Sequence, residues 1–126
     1  MFAGGCLLGL CCDFRVMRGD RGFICMNEID IGLHLSDGLS SIVEAKVSDP
    51  MTLRDIVLRG KRFNAEEGKA VGIVDVVVPQ EKLLSEALAI ANSVSGKASA
   101  EAYRTIRTTL YRNAIFALTE RPVAKL

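Results

Sequence analysis

The chain has 126 residues, the size of one domain or of part of a larger one. Apolar residues make up 49% and charged residues 25%, which are globular values that argue against disorder. The formal net charge is +1, which excludes the strong basic excess of a nucleic-acid binder, and no apolar run reaches the roughly 18 residues of a membrane span.

All four cysteines lie in the first fifth of the chain. Cys11 and Cys12 are neighbours that cannot easily bond each other, and no cysteine follows Cys25. A disulfide scaffold is therefore not expected, and the sequence points to a reducing compartment. The spacing and the single histidine also disfavour a zinc site, so we expect the cysteines to be packing residues.

The first third of the chain predicts short elements separated by glycine. Residues 4–12 are small and apolar all round and open with two glycines, which favours a short buried helix over a strand. Residues 14–17 and 23–26 predict two short strands, joined by a turn over the glycines and charges of residues 18–22. The extended backbone is expected to continue into residues 27–33.

The middle of the chain predicts three helices with clear starts. Ser36 can cap a helix whose apolar residues keep helical spacing over residues 39–47. A second helix is predicted over residues 50–60, where Asp precedes Pro at the start and Gly stands at the end. A third, over residues 64–72, opens with the Asn and Glu of a capping box and ends at a glycine.

The last third predicts one strand and two helices. Residues 73–78 are β-branched and end at a proline, which indicates a strand. Apolar stripes over residues 83–94 and 103–117 predict a long helix closed by Gly96 and a last helix stopped by Pro122. The fold class is therefore α/β with few strands. Because the chain opens inside an apolar, glycine-rich segment, we expect most of the sheet to be missing.

Gly4 and Gly5 stand where the first predicted helix begins. The first amides of a helix have no internal acceptor and carry the positive end of the helix dipole, and glycine lets a ligand approach the backbone. Such amides can hold an oxygen that gains negative charge. Tight packing of a helix on a strand is the other interpretation of the two glycines.

Glu28 lies in an extended segment in which alternation would place Met26, Glu28 and Asp30 on one face. A carboxylate among such apolar residues loses hydration, which raises its pKa towards that of a useful base. A solvated carboxylate at a strand end is the alternative, and Asp30 is interpreted as a cap or turn residue. An amide donor and one carboxylate together suffice to remove a proton next to a carbonyl and hold the enolate.

Three segments resemble the crotonase (enoyl-CoA hydratase/isomerase) superfamily, in that family's order. Residues 3–13 (AGGCLLGLCCD) resemble its glycine-rich motif that ends in Cys-Asp, and residues 26–33 (MNEIDIGL) resemble the segment with its main catalytic glutamate. Residues 58–75 resemble its later signature of a glycine turn, a helix and a strand entry. The resemblance implies the C-terminal half of a crotonase fold, with core and site in residues 1–79 and a helical, trimerisation-type region in residues 80–126.

The resemblance also implies an acyl-CoA thioester as substrate. Hydratases of the family use a second glutamate at the position that Leu7 occupies here, and we find no clear further acid of the kind that a dienoyl isomerase would need. The implied activity is that of a plant-type delta-3, delta-2 enoyl-CoA isomerase of fatty-acid β-oxidation. Glu28 would take a proton from C2 and return it at C4 while the Gly4 amide holds the thioester oxygen. No cofactor is implied, since CoA belongs to the substrate.

Further expectations concern the C-terminal region. Arg104 and Arg107 could contact the phosphates of CoA, or they could form a solvated basic face. The residues Ala124, Lys125 and Leu126 resemble a peroxisomal address, which implies the peroxisome and its import receptor, although an ordinary frayed tail would also match. The family implies a homo-oligomer, a trimer or hexamer.

In the family, the half that this chain lacks supplies the other oxyanion amide and much of the CoA-binding surface. Loss of one oxyanion donor alone costs about two to three powers of ten in rate. The alternative function is therefore that of a truncated, non-catalytic paralogue that acts as an interaction subunit.

Overall fold

A computed structural model describes residues 1–119 of the chain, and most of their ordered backbone is helical. The helices are α1 (Gly4–Cys11), α2 (Asp37–Lys46), α3 (Pro50–Val57), α4 (Ala65–Ala70), α5 (Leu83–Ala98), α6 (Glu101–Leu110) and α7 (Arg112–Thr119). The strands are β1 (Val16–Arg18) and β2 (Val76–Val78), and the 3₁₀ turns are Ile29–Ile31 and Gln80–Lys82. The predicted helix stop at Pro122 lies outside the described residues.

The two strands form a small parallel sheet in which Val16 pairs with Val76. Arg15 strengthens the pairing, because its amide donates to the Asp75 carboxylate at 2.7 Å and its Nε donates to the Ile73 carbonyl at 2.6 Å. β2 is shorter than the predicted strand over residues 73–78. The amides of residues 73 and 74 donate instead to the Gly68 carbonyl, at 2.8 and 3.0 Å, and so close the turn after α4.

The predicted strand over residues 23–26 is wrong as a strand and survives only as single bridges. Ile24 exchanges two backbone hydrogen bonds with Phe63, both at 2.9 Å. On the other edge the Cys25 amide donates to the Met1 carbonyl, and the Cys25 carbonyl accepts from the Ala3 amide, both at 3.0 Å. Only one residue of the segment forms hydrogen bonds on each edge, so no ladder of strand hydrogen bonds forms. These bonds nevertheless hold the start of α1 beside the segment that leads to Glu28.

The predicted helix starts in the middle of the chain are confirmed. The Ser36 and Asp49 side chains accept hydrogen bonds from the backbone amides three residues later, as N-caps do. Asn64 and Glu67 form the reciprocal capping box: the Glu67 amide donates to Asn64 Oδ1 at 2.9 Å, and the Asn64 amide donates to Glu67 Oε2 at 3.0 Å.

Two predictions for the C-terminal helices are wrong: the end of one helix at Gly96 and the continuity of the last helix. Gly96 does not close its helix, since α5 continues to Ala98. Glycine inside a helix costs about 1 kcal/mol relative to alanine, which is too little to end a long helix. The predicted last helix is instead two helices, α6 and α7, which separate at Tyr111. The break lets the Tyr111 hydroxyl accept a hydrogen bond from Lys46 Nζ at 2.7 Å, while that ammonium lies 3.9 Å from the ring centre.

The core lies where α1, α2, α3 and the residues before β2 meet. Its largest fully buried side chains are those of Phe63, Leu10, Met26, Ile56 and Ile73. The packing role predicted for the cysteines is confirmed for the two buried ones and wrong for Cys11 and Cys12, which are exposed; all four thiols are free. No helix in the described part of the chain has the length and apolarity needed to cross a membrane.

Candidate active site

The N-terminus of α1 combines backbone strain with open space. Ala3 caps the helix with φ 46° and is the one non-glycine residue with positive φ among residues 1–119, a kind of strain that clusters at functional sites. A Cβ on Gly4 or Gly5 would meet no atom within 4 Å, so tight packing does not explain the two glycines. The Gly5 amide donates to the Phe2 carbonyl at 3.0 Å, whereas the Gly4 amide donates to no residue within 1–119.

Glu28 stands at the start of a 3₁₀ turn, so the prediction of an extended, alternating segment is wrong here. Its carbonyl accepts hydrogen bonds from the amides of Ile31 at 3.2 Å and Leu33 at 2.9 Å, which fix the backbone of the turn. The residue is 8% exposed and is the one acidic residue in the buried part of the described chain. Its Oε2 atom is buried and receives no hydrogen bond there. One oxygen of this carboxylate is therefore buried without a protein hydrogen-bond donor among the described residues.

The negative charge of Glu28 contributes to the raised pKa of two cysteines, Cys6 on α1 and Cys25. Burial raises the pKa of the Cys6 thiol to about 11; the nearby amino terminus opposes this rise, and the negative charge of Glu28 adds to it. Burial also raises the pKa of Cys25, whose sulfur donates a hydrogen bond to the Gly60 carbonyl at 3.2 Å. The Glu28 carboxylate and the strained start of α1 thus belong to one region.

The turn after α3 supports the Glu28 turn from outside, a role that the sequence analysis missed. Gly60 was predicted only to end a helix, but its φ is 56° and a Cβ there would lie 3.0 Å from Asp30 Oδ2 and 3.3 Å from Ile29 Cγ2. Glycine is needed here for both its left-handed conformation and its small size. The glycine was visible in the sequence, but its long-range neighbours were not. Asp30 lies in the 3₁₀ turn, as its interpretation as a turn residue anticipated.

Leu7 packs in the core and is 6% exposed, so the position at which the resemblance places a hydratase's second glutamate carries an apolar side chain. Glu28 is therefore the one buried carboxylate in residues 1–119, and the Gly4 amide is a backbone donor without a partner there. No three His, Cys, Asp or Glu side chains in residues 1–119 are grouped as ligands for a metal ion.

The structure separates the two arginines proposed for CoA phosphates. Arg104 is exposed on α6, whereas Arg107 Nε donates to Asp13 Oδ2 at 2.7 Å. Lys46 Nζ donates to the other oxygen of Asp13 at 2.9 Å. Burial works against ionisation of Asp13, but the hydrogen bonds from Arg107 and Lys46 outweigh it and lower its pKa to about 2. Arg107 thus has a structural partner at the far end of α1, whereas the Arg104 side chain has no hydrogen-bond or ion-pair partner among residues 1–119.

The three predicted targeting residues, Ala124, Lys125 and Leu126, lie outside the described residues. Their role stays a prediction.

Residues 1–122 match the family model described as enoyl-CoA hydratase/isomerase. Among curated proteins, the chain is 38% identical over 112 residues to enoyl-CoA delta isomerase 3 of Arabidopsis thaliana, covering 86% of this chain and 47% of that protein. It is 36% identical over 112 residues to the peroxisomal enoyl-CoA delta isomerase 2 of the same plant, with the same coverage. The chain therefore spans about half the length of these relatives.

Solved structures show the same relationship. The human mitochondrial delta3-delta2-enoyl-CoA isomerase superposes with a TM-score of 0.77 at 31% identity, covering 95% of this chain and 46% of that one. An enoyl-CoA hydratase from Mycobacterium ulcerans superposes with a TM-score of 0.83 at 23% identity, which supports the fold alone. The α/β fold with a small sheet is thus the crotonase-type fold that the sequence predicted.

Proposed function

The chain belongs to the enoyl-CoA hydratase/isomerase family, and from that premise we propose that it is an enoyl-CoA isomerase of fatty-acid β-oxidation. The substrate would be a 3-enoyl-CoA, whose double bond moves to the 2-position. The observation that carries the proposal is the single buried carboxylate, Glu28, whose Oε2 has no protein donor in residues 1–119. The names of the two Arabidopsis relatives favour the same reaction.

The proposed reaction needs one group that first takes and then returns a proton. Glu28 would remove a proton from C2, and the electrons of that C–H bond would pass into the thioester carbonyl to form a dienolate. The Gly4 amide would donate to the resulting oxyanion. Glu28 would then return the proton at C4, so the atomic composition of the substrate would be unchanged. The geometry favours this role, because Glu28 Oε2 is buried and no residue within 1–119 donates a hydrogen bond to it.

Leu7 favours isomerisation over hydration. Addition of water to a double bond is served by two acid–base groups, one to take a proton from water and one to protonate the substrate. Glu28 is the one buried carboxylate in residues 1–119, and the side chain of Leu7 packs into the core. Binding of CoA would use Arg104 on α6 for phosphate contact, whereas Arg107 would have to leave Asp13 to do so. No cofactor is part of this proposal.

The test measures the conversion of a 3-enoyl-CoA to its 2-enoyl isomer, and the hydration of a 2-enoyl-CoA, by the purified chain. We expect isomerisation without comparable hydration. Glu28→Gln should lower the isomerisation rate by at least about a hundredfold, since a general base contributes about 10²–10⁴. Glu66→Gln is the matched control, because Glu66 is an exposed carboxylate on α4. Hydration faster than isomerisation would overturn the proposal.

A second candidate, a non-catalytic family member that acts by association, is favoured by an apolar surface on the C-terminal helices. The large exposed apolar side chains there are Ile106, Leu110, Ile115, Phe116 and Leu118. Exposed apolar patches mark interaction sites. This candidate predicts a folded wild-type chain without isomerase activity whose assembly, measured by sedimentation, is lost in Phe116→Lys. The trimer or hexamer expected of the family is tested by the same measurement.

The peroxisomal location also stays a proposal. One of the two Arabidopsis relatives above is named as peroxisomal, whereas a human relative, 38% identical over 87 residues, is named as mitochondrial. A fluorescent protein fused in front of the tripeptide Ala124-Lys125-Leu126 should enter peroxisomes through the import receptor. It should stay outside them when Leu126 is replaced by Asp. Entry that is independent of Leu126 would contradict the assignment.

A further inference from the structure

Two polar side-chain atoms in residues 1–119 are buried without a hydrogen-bond partner, and they belong to consecutive residues. They are Asn27 Oδ1 and Glu28 Oε2. Both atoms are acceptors when Glu28 is ionised. A buried acceptor without a donor destabilises the fold, so two of them on consecutive residues require an explanation.

No residue within 1–119 donates a hydrogen bond to either of these atoms. The sulfur of Cys25 is committed to the Gly60 carbonyl at 3.2 Å. Two backbone amides of the turn are used within it: the Asp30 amide donates to the Asn27 carbonyl at 3.1 Å, and the Ile31 amide donates to the Glu28 carbonyl at 3.2 Å. These bonds fix the backbone from which both side chains leave. A water molecule has the O–H donors that these two oxygens lack.

We propose that Asn27 and Glu28 together bind one buried water molecule, and that Asn27 is a positioning residue for the proton that Glu28 carries. A water molecule has two O–H groups, so one molecule can donate to both orphaned oxygens. Hydrogen bonds of about 2.7–2.8 Å let a water bridge acceptors up to about 5.5 Å apart. Consecutive Cα atoms are about 3.8 Å apart, so side chains from neighbouring residues can share one bridge.

The water would serve both protonation states of Glu28, an inference that rests on the proposed isomerase function. While Glu28 is a carboxylate, the water donates to it and to Asn27. When Glu28 has taken the C2 proton, its O–H donates to the same water, which still donates to Asn27 Oδ1. Asn27 thus holds the water in place as the acceptor for the O–H of protonated Glu28. The water itself neither gains nor loses a proton when Glu28 is protonated. Substrate binding does not depend on this contact.

The first test locates the water in a high-resolution crystal structure of the substrate-free wild-type chain. We expect one water within about 2.6–3.2 Å of both Asn27 Oδ1 and a Glu28 carboxylate oxygen. Two separate waters, each on one oxygen, or no water at all, would overturn the proposal. This crystal structure tests the water site without any measurement of activity. A failure of the isomerase proposal would instead appear as the absence of isomerisation, so the two failures can be told apart.

The second test compares Asn27→Leu with Asn92→Leu. Leucine is close in size to asparagine and lacks the acceptor, and Asn92 is an exposed amide on α5. Asn27→Leu should remove the water and lower kcat about tenfold, the effect of losing one hydrogen bond, with KM changed less than about twofold. Asn92→Leu should change neither constant. An unchanged kcat in Asn27→Leu, or a rise in KM alone, would contradict the positioning role.

Discussion

Replacing Asp13 by asparagine removes the carboxylate that joins the end of α1 to α2 and α6. The Asp13 side chain is 25% exposed and binds Lys46, whose side chain is 8% exposed. Burial opposes ionisation, yet hydrogen bonds from Arg107 and Lys46 lower the pKa of Asp13 from 3.8 to about 2. That difference corresponds to about 2.4 kcal/mol of folding stability. Because Arg107 is 44% exposed and partly screened by solvent, we expect Asp13→Asn to cost about 1–2 kcal/mol.

The sign of the pH dependence follows from the direction of the shift. A carboxylate with a lowered pKa stabilises the fold above its unfolded pKa and loses that contribution as pH falls through the folded value. The free energy of unfolding, measured with urea, should therefore fall between pH 4 and pH 2 in the wild type and fall less in Asp13→Asn. Asp20→Asn is the matched control, since hydrogen bonding to Arg18 lowers the pKa of Asp20 to about 2 as well, but its side chain is 57% exposed. An Asp13→Asn chain as stable at pH 7 as Asp20→Asn would refute the reasoning.

Two further predictions concern the turn at Gly60 and the thiols. Gly60→Ala should destabilise the fold by about 1–2 kcal/mol from left-handed strain and lower isomerase activity as well, because its Cβ would lie 3.0 Å from Asp30 Oδ2. Gly72→Ala, at φ 76° with nothing within 4 Å of the added Cβ, should show the strain alone, and equal activity loss in both variants would contradict support of the Glu28 turn. Titration of the native chain with a water-soluble thiol reagent should modify two cysteines quickly and the buried two only after unfolding. Rapid modification of all four would contradict the described burial.

Local chemistry made much of the fold predictable. The caps at Ser36, Asp49 and Asn64 act on amides three residues away, so their signal is contained in a few letters of sequence. The strand prediction for residues 23–26 failed because the segment pairs only through single bridges to residues distant in sequence, Phe63 on one edge and Met1 and Ala3 on the other. Such bridges leave no periodic pattern in the sequence. The hydrogen bond at the Tyr111 break likewise involves Lys46, which is far from it in sequence.

Some residues of the candidate site could likewise be predicted from the sequence, and others could not. Gly4 and Glu28 were singled out from a helix start and from an acidic residue among apolar ones, and the family resemblance points to the same two residues. The structure adds open space around Gly4 and a buried oxygen without a donor on Glu28. The role of Arg107 could not be foreseen, since its ion pair with Asp13 joins residues 94 positions apart. Asn27 carried no signal of its own, because a lone amide beside an acidic residue is common.

The central claim is that Glu28 removes a proton from C2 of a bound thioester. The most direct measurement follows, by NMR in deuterium oxide, the exchange of the C2 protons of a 3-enoyl-CoA in the presence of the chain. We expect exchange catalysed by the wild type and by Glu66→Gln, and none above background with a Glu28→Gln variant that still binds the thioester. Exchange that survives in Glu28→Gln at the wild-type rate would contradict the claim.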